Sequence, residues 1–324
     1  MNVTIALAQS CHPANGNVIA LVERFAAEAQ AEGADLLVFP ESLMSRYEAE
    51  IGDFLAESQP LDGPFTQAVD AIAARFGLWI VYTMNERNDL EREGETSTSH
   101  ACIDNKLNVH ADAAFNTNLD VDAQGSADTE ANASAHGNTS TNSNGDTDAN
   151  VKHGLPFNTA IVTDNTGVRR GFYRKIHLFD SATTTESERM AASDRLFSPI
   201  DTPFGKLGLA ICYDLRFPEV ARAAALEGCD IMVYPAAWVD GPGKALQWET
   251  LLAARAIENE MFVVGVSRAD EGYVGNSVVI GPDGTVHVRG DREERLLVAR
   301  IDTDDLARMR AAIPVFDHRK PDAY

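Results

Sequence analysis

The sequence predicts an α/β fold in which two β-sheets face each other. Apolar runs bounded by Gly and Pro alternate with segments whose apolar residues recur at helical spacing. One helix–Gly–strand–Pro unit occurs twice, as EGADLLVFPE over 32–41 and EGCDIMVYPA over 227–236, with five of the ten positions identical. This repeat indicates two α-β-β halves whose strand ends open on a shared cleft.

The first half begins with a strand and a helix that Gly33 ends. The run over 35–40 is continuously apolar, which favours a strand buried on both faces. In order, we predict a strand over 3–9, a helix over 17–32, a strand over 35–40, a helix over 65–76 and a strand over 78–84.

Residues 91–153 differ in composition from the rest of the chain. Ser, Thr, Asn, Asp, Ala and Gly dominate, and Phe115 is the only aromatic residue. Such a segment buries too little apolar area to offset the entropy of ordering it. We therefore predict a single domain over 1–324, interrupted by a disordered, acidic and polar insertion at 91–153.

The second half repeats the alternation of strands and helices. A hairpin is predicted around Asp164–Gly167, and a second one around Pro282–Gly284. The predicted strands cover 157–163, 168–173, 207–211, 230–235, 261–266, 274–280, 285–288 and 296–301, and the predicted helices cover 220–226 and 245–259.

The charge balance limits the classes of partner. The formal net charge is −22, from 49 acidic and 27 basic residues, and only six of the basic residues are lysine. This excess repels nucleic acid and anionic membranes, so we expect a protein that binds neither. Halophiles also use a large acidic excess, so one hypothesis is a protein that works in a salt-rich cytoplasm. The alternative is an ordinary acidic protein.

Cysteine usage and hydropathy bear on the compartment. The four cysteines show no close pairing, which favours reduced thiols over a disulfide framework. The first residues lack a basic segment, and no apolar run approaches the roughly 20 residues of a membrane span. We predict a cytoplasmic protein.

Cys212 is the first candidate for a functional residue. It follows an apolar run in KLGLAICYDLRFPE over 206–219, at a tight turn before a helix that begins near Pro218. A cysteine beside free backbone N–H groups is placed to be a thiolate. The alternative is a small buried apolar residue, as most unpaired cysteines are.

Glu41 and Lys175 end two other predicted strands. Glu41 follows the buried run 35–40, and Lys175 follows Tyr173 and Arg174 in a chain that seldom uses lysine. Taken separately, Glu41 could be an exposed acid and Lys175 a lysine whose stem packs on the core. His177, close by, is interpreted as a structural histidine.

Together these three residues form a set that can hydrolyse an amide. Attack on a carbonyl requires a nucleophile, a base that activates it and positive groups where the oxyanion develops. Cys212 supplies the sulfur and Glu41 the base. Lys175 and the backbone N–H of Tyr213 would hold the oxyanion, and water activated by Glu41 would hydrolyse the thioester.

Three segments of the chain resemble the signature motifs of the nitrilase superfamily, the carbon–nitrogen hydrolases. They are Pro40–Ser42, the run YRKIHLFD over 173–180 and the run ICYDLRFPE over 211–219, in the family's order. The resemblance implies a four-layer α-β-β-α sandwich, a Glu41–Lys175–Cys212 triad and no cofactor. It also implies a homodimer, because the segment over 313–324 is similar to one that crosses the family's dimer interface.

The resemblance implies roles for further residues. Many members carry a second glutamate between the lysine and the cysteine; Glu186 fits it, with Glu188 as the alternative. It also implies that Arg216 and Glu219 form a buried ion pair that braces the cysteine turn. The acyl pocket opposite Glu41 would be lined by Tyr234, Ala236 and Ala237.

The residues after Cys212 resemble the amidase branch that includes omega-amidase and deaminated glutathione amidase. We therefore expect hydrolysis of a small linear carboxamide to carboxylate and ammonia. The alternatives are N-carbamoyl amidohydrolase or nitrilase activity in the same site, or a catalytically silent scaffold of the same fold. No metal site is predicted, because His100, Cys102 and His110 match no closed zinc spacing.

Overall fold

The computed structural model describes residues 1–45, 51–88, 154–181 and 184–323. The predicted insertion at 91–153 lies outside the described residues. The helices are α1 (Val18–Ala31), α2 (Ile51–Glu57), α3 (Pro64–Phe76), α4 (Pro218–Leu226), α5 (Lys244–Asn259), α6 (Asp304–Ala312) and α7 (Val315–His318).

Six strands form the first sheet, in the order β12-β1-β2-β3-β4-β5. β1, β2 and β3 run parallel, whereas β12, β4 and β5 join antiparallel, so the first and last strands of the chain are neighbours. These strands are β1 (Asn2–Gln9), β2 (Leu36–Val38), β3 (Trp79–Asn88), β4 (Gly154–Thr163), β5 (Arg169–Arg174) and β12 (Arg295–Asp302).

The second sheet repeats this plan, in the order β11-β10-β9-β8-β7-β6. β7, β8 and β9 are the parallel strands. The repeated sequence unit therefore supplies the central strand of each parallel trio, β2 in one sheet and β8 in the other. The strands are β6 (Ile200–Thr202), β7 (Gly205–Leu209), β8 (Ile231–Ala236), β9 (Phe262–Ser267), β10 (Val278–Ile280) and β11 (Val286–Arg289).

Apolar side chains of the first sheet alternate between two buried clusters. In β1, Ile5 and Leu7 join the cluster that includes the second sheet, whereas Ala6 and Ala8 join the cluster under α1 and α3. This alternation follows from the two-residue period of a strand. Each fully buried Leu or Ile contributes about 1.5–3 kcal/mol by its removal from water.

Local signals fix where the helices begin and end. The Asn17 side chain accepts a hydrogen bond from the Ala20 N–H at 3.1 Å and so caps α1. α3 begins at Pro64 and stops at Gly77, which adopts the left-handed conformation that glycine tolerates best.

On the second sheet, α5 lies close to the strands because β9 offers a glycine. A Cβ on Gly265 would lie 2.5 Å from Leu252 and 2.7 Å from Trp248 of α5. The larger side chains of the helix therefore fill the space that the missing side chain leaves.

The predicted fold class is confirmed: two mixed sheets are flanked by helices. Each predicted strand and helix within the described residues is present, with shifts of a few residues at the ends. Four short elements were missed, namely α2, β6, α6 and α7, because they are too short or too polar to give a clear period. Among the described residues, no helix has both the length and the apolar composition that crossing a membrane requires.

Candidate active site

Glu41 stands just beyond the end of β2, and its side chain is only 1% exposed. The next residue, Ser42, turns the chain with a φ of 55°, in the left-handed region. The buried Arg268 donates from Nη1 to the Ser42 carbonyl oxygen at 2.7 Å and is itself paired with Asp270. This contact fixes the turn that carries Glu41.

Lys175 follows β5 directly and is also 1% exposed. Its Nζ donates to Glu41 Oε1 at 2.8 Å and to Glu186 Oε1 and Oε2 at 3.0 and 2.8 Å. The Phe179 N–H donates to Glu186 Oε2 at 2.6 Å, which holds that carboxylate in place. Glu188 is exposed, so the structure brings Glu186 to the lysine.

Cys212 begins a short 3₁₀ turn, Cys212–Arg216, and lies on the wall of a cleft. Its φ is 43°, a conformation that costs a non-glycine residue on the order of 1–2 kcal/mol. The backbone N–H of Tyr213 belongs to the first turn of this 3₁₀ helix, where N–H groups lack partners within the helix.

Glu41 is charged in this site. Burial raises its pKa, but the charge of Lys175 and hydrogen bonds from Lys175, Cys212 and the Ala237 N–H outweigh burial and hold the pKa below its ordinary value. For Lys175, burial lowers the pKa, but the charges of Glu186 and Glu41 raise it well above the ordinary value. The pair is therefore carboxylate and ammonium.

The surroundings of Cys212 favour a resting thiol, whereas its turn taken alone suggested a thiolate. Burial and the charge of Glu41 raise the pKa of the thiol well above its ordinary value, and the charge of Lys175 only partly offsets them. The resting sulfur is thus a thiol, hydrogen-bonded to Glu41. It needs a base at the moment of attack, and Glu41 is next to it.

Asp214 connects the cysteine turn to the segment around Lys175. Its carboxylate accepts hydrogen bonds from the Ile211 N–H at 2.9 Å, Tyr173 Oη at 2.8 Å and the His177 N–H at 3.1 Å, and His177 Nδ1 lies 2.8 Å away. The His177 ring also stacks on Phe217 at 3.6 Å between centroids. These contacts agree with the interpretation of His177 as a structural residue.

Asn158 belongs to the buried cluster formed by Glu41, Lys175, Glu186 and Cys212, although the sequence did not suggest it. This buried residue of β4 donates from Nδ2 to Glu41 Oε1 at 2.8 Å and to Glu186 Oε1 at 3.4 Å, and its carbonyl oxygen accepts from the Lys175 N–H at 2.9 Å. Its polar position in the alternating run FNTAIV was the only signal available.

The cleft beside Cys212 is narrow, with room of about 20 Å³ for the centres of water-sized molecules. Of the four residues assigned to substrate or oxyanion binding, Tyr213 and Ala237 line it. The Ala237 N–H also donates to Glu41 Oε2 at 2.8 Å. The lining residues are Phe179, Cys212, Tyr213, Arg216, Ala237, Trp238, Val239 and Lys244.

Tyr234 and Ala236 are not among the described residues that line this cleft. Both are fully buried in β8, and the Tyr234 hydroxyl has no hydrogen-bond partner among the described residues. Burial raises the pKa of the Tyr234 hydroxyl, and the charges that change this pKa most are those of Arg255 and Asp214, which do not line the cleft. Tyr234 therefore packs in the core.

The predicted ion pair between Arg216 and Glu219 is wrong. Glu219 is exposed in the first turn of α4, where a carboxylate is stabilised by the helix dipole. Arg216 instead donates to Gln247 Oε1 at 2.8 Å, and its guanidinium lies 4.8 Å from the centre of the Trp238 ring. The arginine is part of the cleft wall.

Within 1–45, 51–88, 154–181 and 184–323, no three His, Cys, Asp or Glu side chains are grouped so as to hold a metal ion. The three residues considered for zinc, His100, Cys102 and His110, lie outside these ranges.

A family model described as carbon-nitrogen hydrolase matches residues 4–132 and 137–311. The deaminated glutathione amidase of Bos taurus is 40% identical over 178 residues, which cover 52% of this chain and 54% of the bovine protein. Human omega-amidase NIT2 is 39% identical over 181 residues, which cover 53% of this chain and 65% of that protein. The match thus spans about half the length of the bovine relative.

The fold has close counterparts among solved structures. The crystal structure of Saccharomyces cerevisiae Nit3, a member of branch 10 of the nitrilase superfamily, superimposes with a TM-score of 0.71 at 23% identity. The alignment covers 98% of this chain and 97% of the yeast chain. With the family match over most of the chain, the chain belongs to the carbon–nitrogen hydrolase family.

Proposed function

We propose that the protein hydrolyses a small linear carboxamide to a carboxylate and ammonia through a thioester on Cys212. The observation that carries this proposal is the buried convergence of Glu41, Lys175 and Cys212 from three strand ends, with Lys175 Nζ 2.8 Å from Glu41 Oε1. The names of the bovine and human relatives support an amidase over other members of the family.

In the acylation step, Glu41 takes the proton of Cys212 as the sulfur attacks the carbonyl carbon. One Lys175 N–H serves Glu41 and a second is shared by the two oxygens of Glu186, which leaves the third to donate to the oxyanion together with the Tyr213 N–H. Glu41 then returns the proton to the amide nitrogen as the C–N bond breaks, and ammonia departs.

Water completes the cycle. Glu41 removes a proton from a water molecule, the hydroxide adds to the thioester carbonyl, and the C–S bond breaks. The sulfur regains the proton from Glu41, and the product leaves as a carboxylic acid that ionises to the carboxylate in water. Glu186 keeps Lys175 in place and charged throughout, because both oxygens of its carboxylate lie within 3.0 Å of the ammonium nitrogen.

The cleft also supports a substrate with a negative group. Arg216 and Lys244 line it, and neither forms an ion pair with any carboxylate that the structure describes. In a chain of net charge −22, two such cations beside a candidate nucleophile favour an amide that carries a carboxylate. The ring of Phe179, with Lys244 Nζ 5.5 Å from its centre, would pack against the aliphatic part.

The test of the function is release of ammonia from a panel of amides in high salt. We expect ammonia without carbon dioxide, and faster turnover of a dicarboxylic acid monoamide than of a neutral amide of the same length. Release of carbon dioxide with ammonia would instead indicate an N-carbamoyl substrate. A wild-type protein that releases ammonia from no amide or nitrile in the panel would favour the scaffold.

Lys244→Met is expected to act on substrate binding. Loss of one charged hydrogen bond should raise KM for the carboxylate-bearing amide about 10- to 100-fold and leave kcat within about threefold. The neutral amide is the internal control, and its KM should not change. An equal rise of KM for both amides would contradict recognition of a carboxylate.

We further propose a single domain over 1–324 interrupted at 91–153, which works as a homodimer in a salt-rich cytoplasm. The net charge of −22 supports the salt requirement, and unpaired Cys11, Cys212 and Cys229 suit a reducing compartment. Leu226, Leu246 and Ile257 of α4 and α5 are exposed apolar side chains that a second copy would cover.

Salt should therefore change both stability and assembly. From about 0.1 to about 3 M NaCl, screening should raise the unfolding midpoint by on the order of 5–10 °C, with a dimer persisting at high salt. Calorimetry and sedimentation velocity on the same samples measure the two effects. An unfolding midpoint that does not depend on salt would argue against the halophilic assignment, and a monomer at every salt concentration against the dimer.

A further inference from the structure

Asn158 donates a hydrogen bond to one oxygen of Glu41. Its Nδ2 lies 2.8 Å from Glu41 Oε1 and 3.4 Å from Glu186 Oε1, and the residue is 4% exposed. Both neighbours accept hydrogen bonds, so the amide must present its NH₂ group to them. Asn158 is thus a neutral donor between two buried carboxylates that share one ammonium.

The two oxygens of Glu41 have different partners. Oε1 accepts hydrogen bonds from both Lys175 Nζ and Asn158 Nδ2, each at 2.8 Å. Oε2 accepts from the Ala237 N–H at 2.8 Å, and Ala237 lines the cleft together with Cys212. Only Oε2 is therefore tied to the backbone that forms the cleft wall.

We propose that Asn158 is a positioning residue that fixes the rotation of the Glu41 carboxylate, so that Oε2 exchanges protons with Cys212 and with the leaving nitrogen. This inference rests on the proposed hydrolase function. The proton of the sulfur passes to Oε2 as the C–S bond forms, and it leaves on the amide nitrogen as the C–N bond breaks. Oε1 keeps its two donors through both steps.

Loss of Asn158 should change the protonation of Glu41 as well as its orientation. The titratable groups that face Glu41 are Lys175, Glu186 and Cys212. Without the amide, the carboxylate keeps Lys175 but loses a neutral donor, so its pKa rises. A carboxylate at position 158 would add a like charge and raise the pKa further.

The experiment compares Asn158→Ala and Asn158→Asp with wild type. We expect kcat to fall about 10- to 100-fold with KM little changed, since a small misplacement of a catalytic group is costly. The acid limb of the kcat/KM profile should move up by about one pH unit in Asn158→Ala and further in Asn158→Asp. Alkylation of Cys212 by iodoacetamide, followed by mass spectrometry, should show the same shift without any amide substrate.

Thr159→Val is the matched control. Thr159 is the next residue of β4, is fully buried and donates to Glu86 Oε2 at 2.7 Å, a carboxylate outside the cluster. Its loss should lower stability and leave both pH profiles unchanged. Asn158→Ser replaces Asn158→Ala if the latter fails to fold.

The outcomes separate this inference from the proposed function. A wild-type protein that hydrolyses no amide refutes the function, and the alkylation profiles still test Asn158. A folded Asn158 variant whose alkylation profile keeps the wild-type acid limb overturns the role of Asn158. This holds whether or not the protein hydrolyses an amide. A shift of the same size in Thr159→Val would overturn it too.

Discussion

Replacing Cys212 with alanine is expected to abolish ammonia release, with a fall in kcat on the order of 10⁴-fold or more. The physical reason is that no other group in the cleft can form the acyl intermediate: the lining residues besides Cys212 are aromatic, aliphatic or cationic. The measurement is the initial rate of ammonia release from the best amide of the panel. The folded state should remain, because alanine fits the same space and the same backbone.

Cys229→Ala is the matched control for this loss. Cys229 is also fully buried, and burial raises the pKa of its thiol to about 12, so it is an unreactive thiol outside the cleft. Its replacement should cost a little stability and no activity. Full activity in Cys212→Ala, or equal loss in both variants, would remove Cys212 from the mechanism.

Lys175→Met should have the largest combined effect on activity and stability. It leaves Glu41 and Glu186 buried without their shared cation, and loss of one partner of a buried ion pair costs about 3–5 kcal/mol. It also removes a donor to the oxyanion, for which a fall in kcat of about 10²-fold or more is expected. Chemical denaturation at pH 7 and the ammonia assay measure the two losses.

The stability loss in Lys175→Met should depend on pH. In wild type the pKa of Glu41 lies below its ordinary value of 4.5, so its ion pair stabilises the fold above that pH and is lost as the pH falls through the folded-state pKa. Without Lys175, burial raises the pKa of Glu41 above the unfolded value. The variant should then regain stability relative to wild type as the pH falls, because the carboxyl groups become neutral.

Lys206→Met is the control for loss of a lysine. The Lys206 ammonium donates to the Glu227 carbonyl oxygen at 3.2 Å at the surface and has no part in the cluster. We expect its stability to stay within about 0.5 kcal/mol of wild type. If Lys175→Met unfolded at the same denaturant concentration as wild type, the buried ion pairs of Lys175 with Glu41 and Glu186 would not stabilise the fold.

The triad could be predicted because each of its members ends a strand with a strong pattern. Glu41 follows a continuously apolar run, Lys175 follows a hairpin strand, and Cys212 follows the run that begins at Lys206. Strand ends of facing sheets meet at one edge, so the topology brought the residues together. Their contact in the structure follows from that simple rule.

The residues that were missed or misplaced depend on side-chain direction. Asn158 lies within a strand, where a polar residue is usually read as facing solvent; here it faces the carboxylates. Tyr234 was assigned to the pocket by the family resemblance, but its side chain is fully buried in β8 and does not line the cleft. A sequence period gives the two faces of a strand, not what lies opposite each one.

The protonation state of Cys212 could not be predicted from its turn alone either. The turn before α4 suggested a thiolate at Cys212, whereas burial and the charge of Glu41 keep the proton on the sulfur. The family resemblance implied an ion pair between Arg216 and Glu219, but the chain directs Arg216 toward the cleft and Glu219 toward water. Both outcomes depend on long-range neighbours.

The pairing of β1 with β12 has a consequence for how the protein is made. The outer neighbour of the first strand is residues Arg295–Asp302, and the two strands align along their full length from Asn2 opposite Asp302 to Gln9 opposite Arg295. At roughly 5–20 residues per second, a ribosome needs about 15–60 seconds between synthesising the two strands. Until then the edge of β1 that β12 covers in the folded protein is unpaired, and an unpaired edge is a template for pairing with another chain.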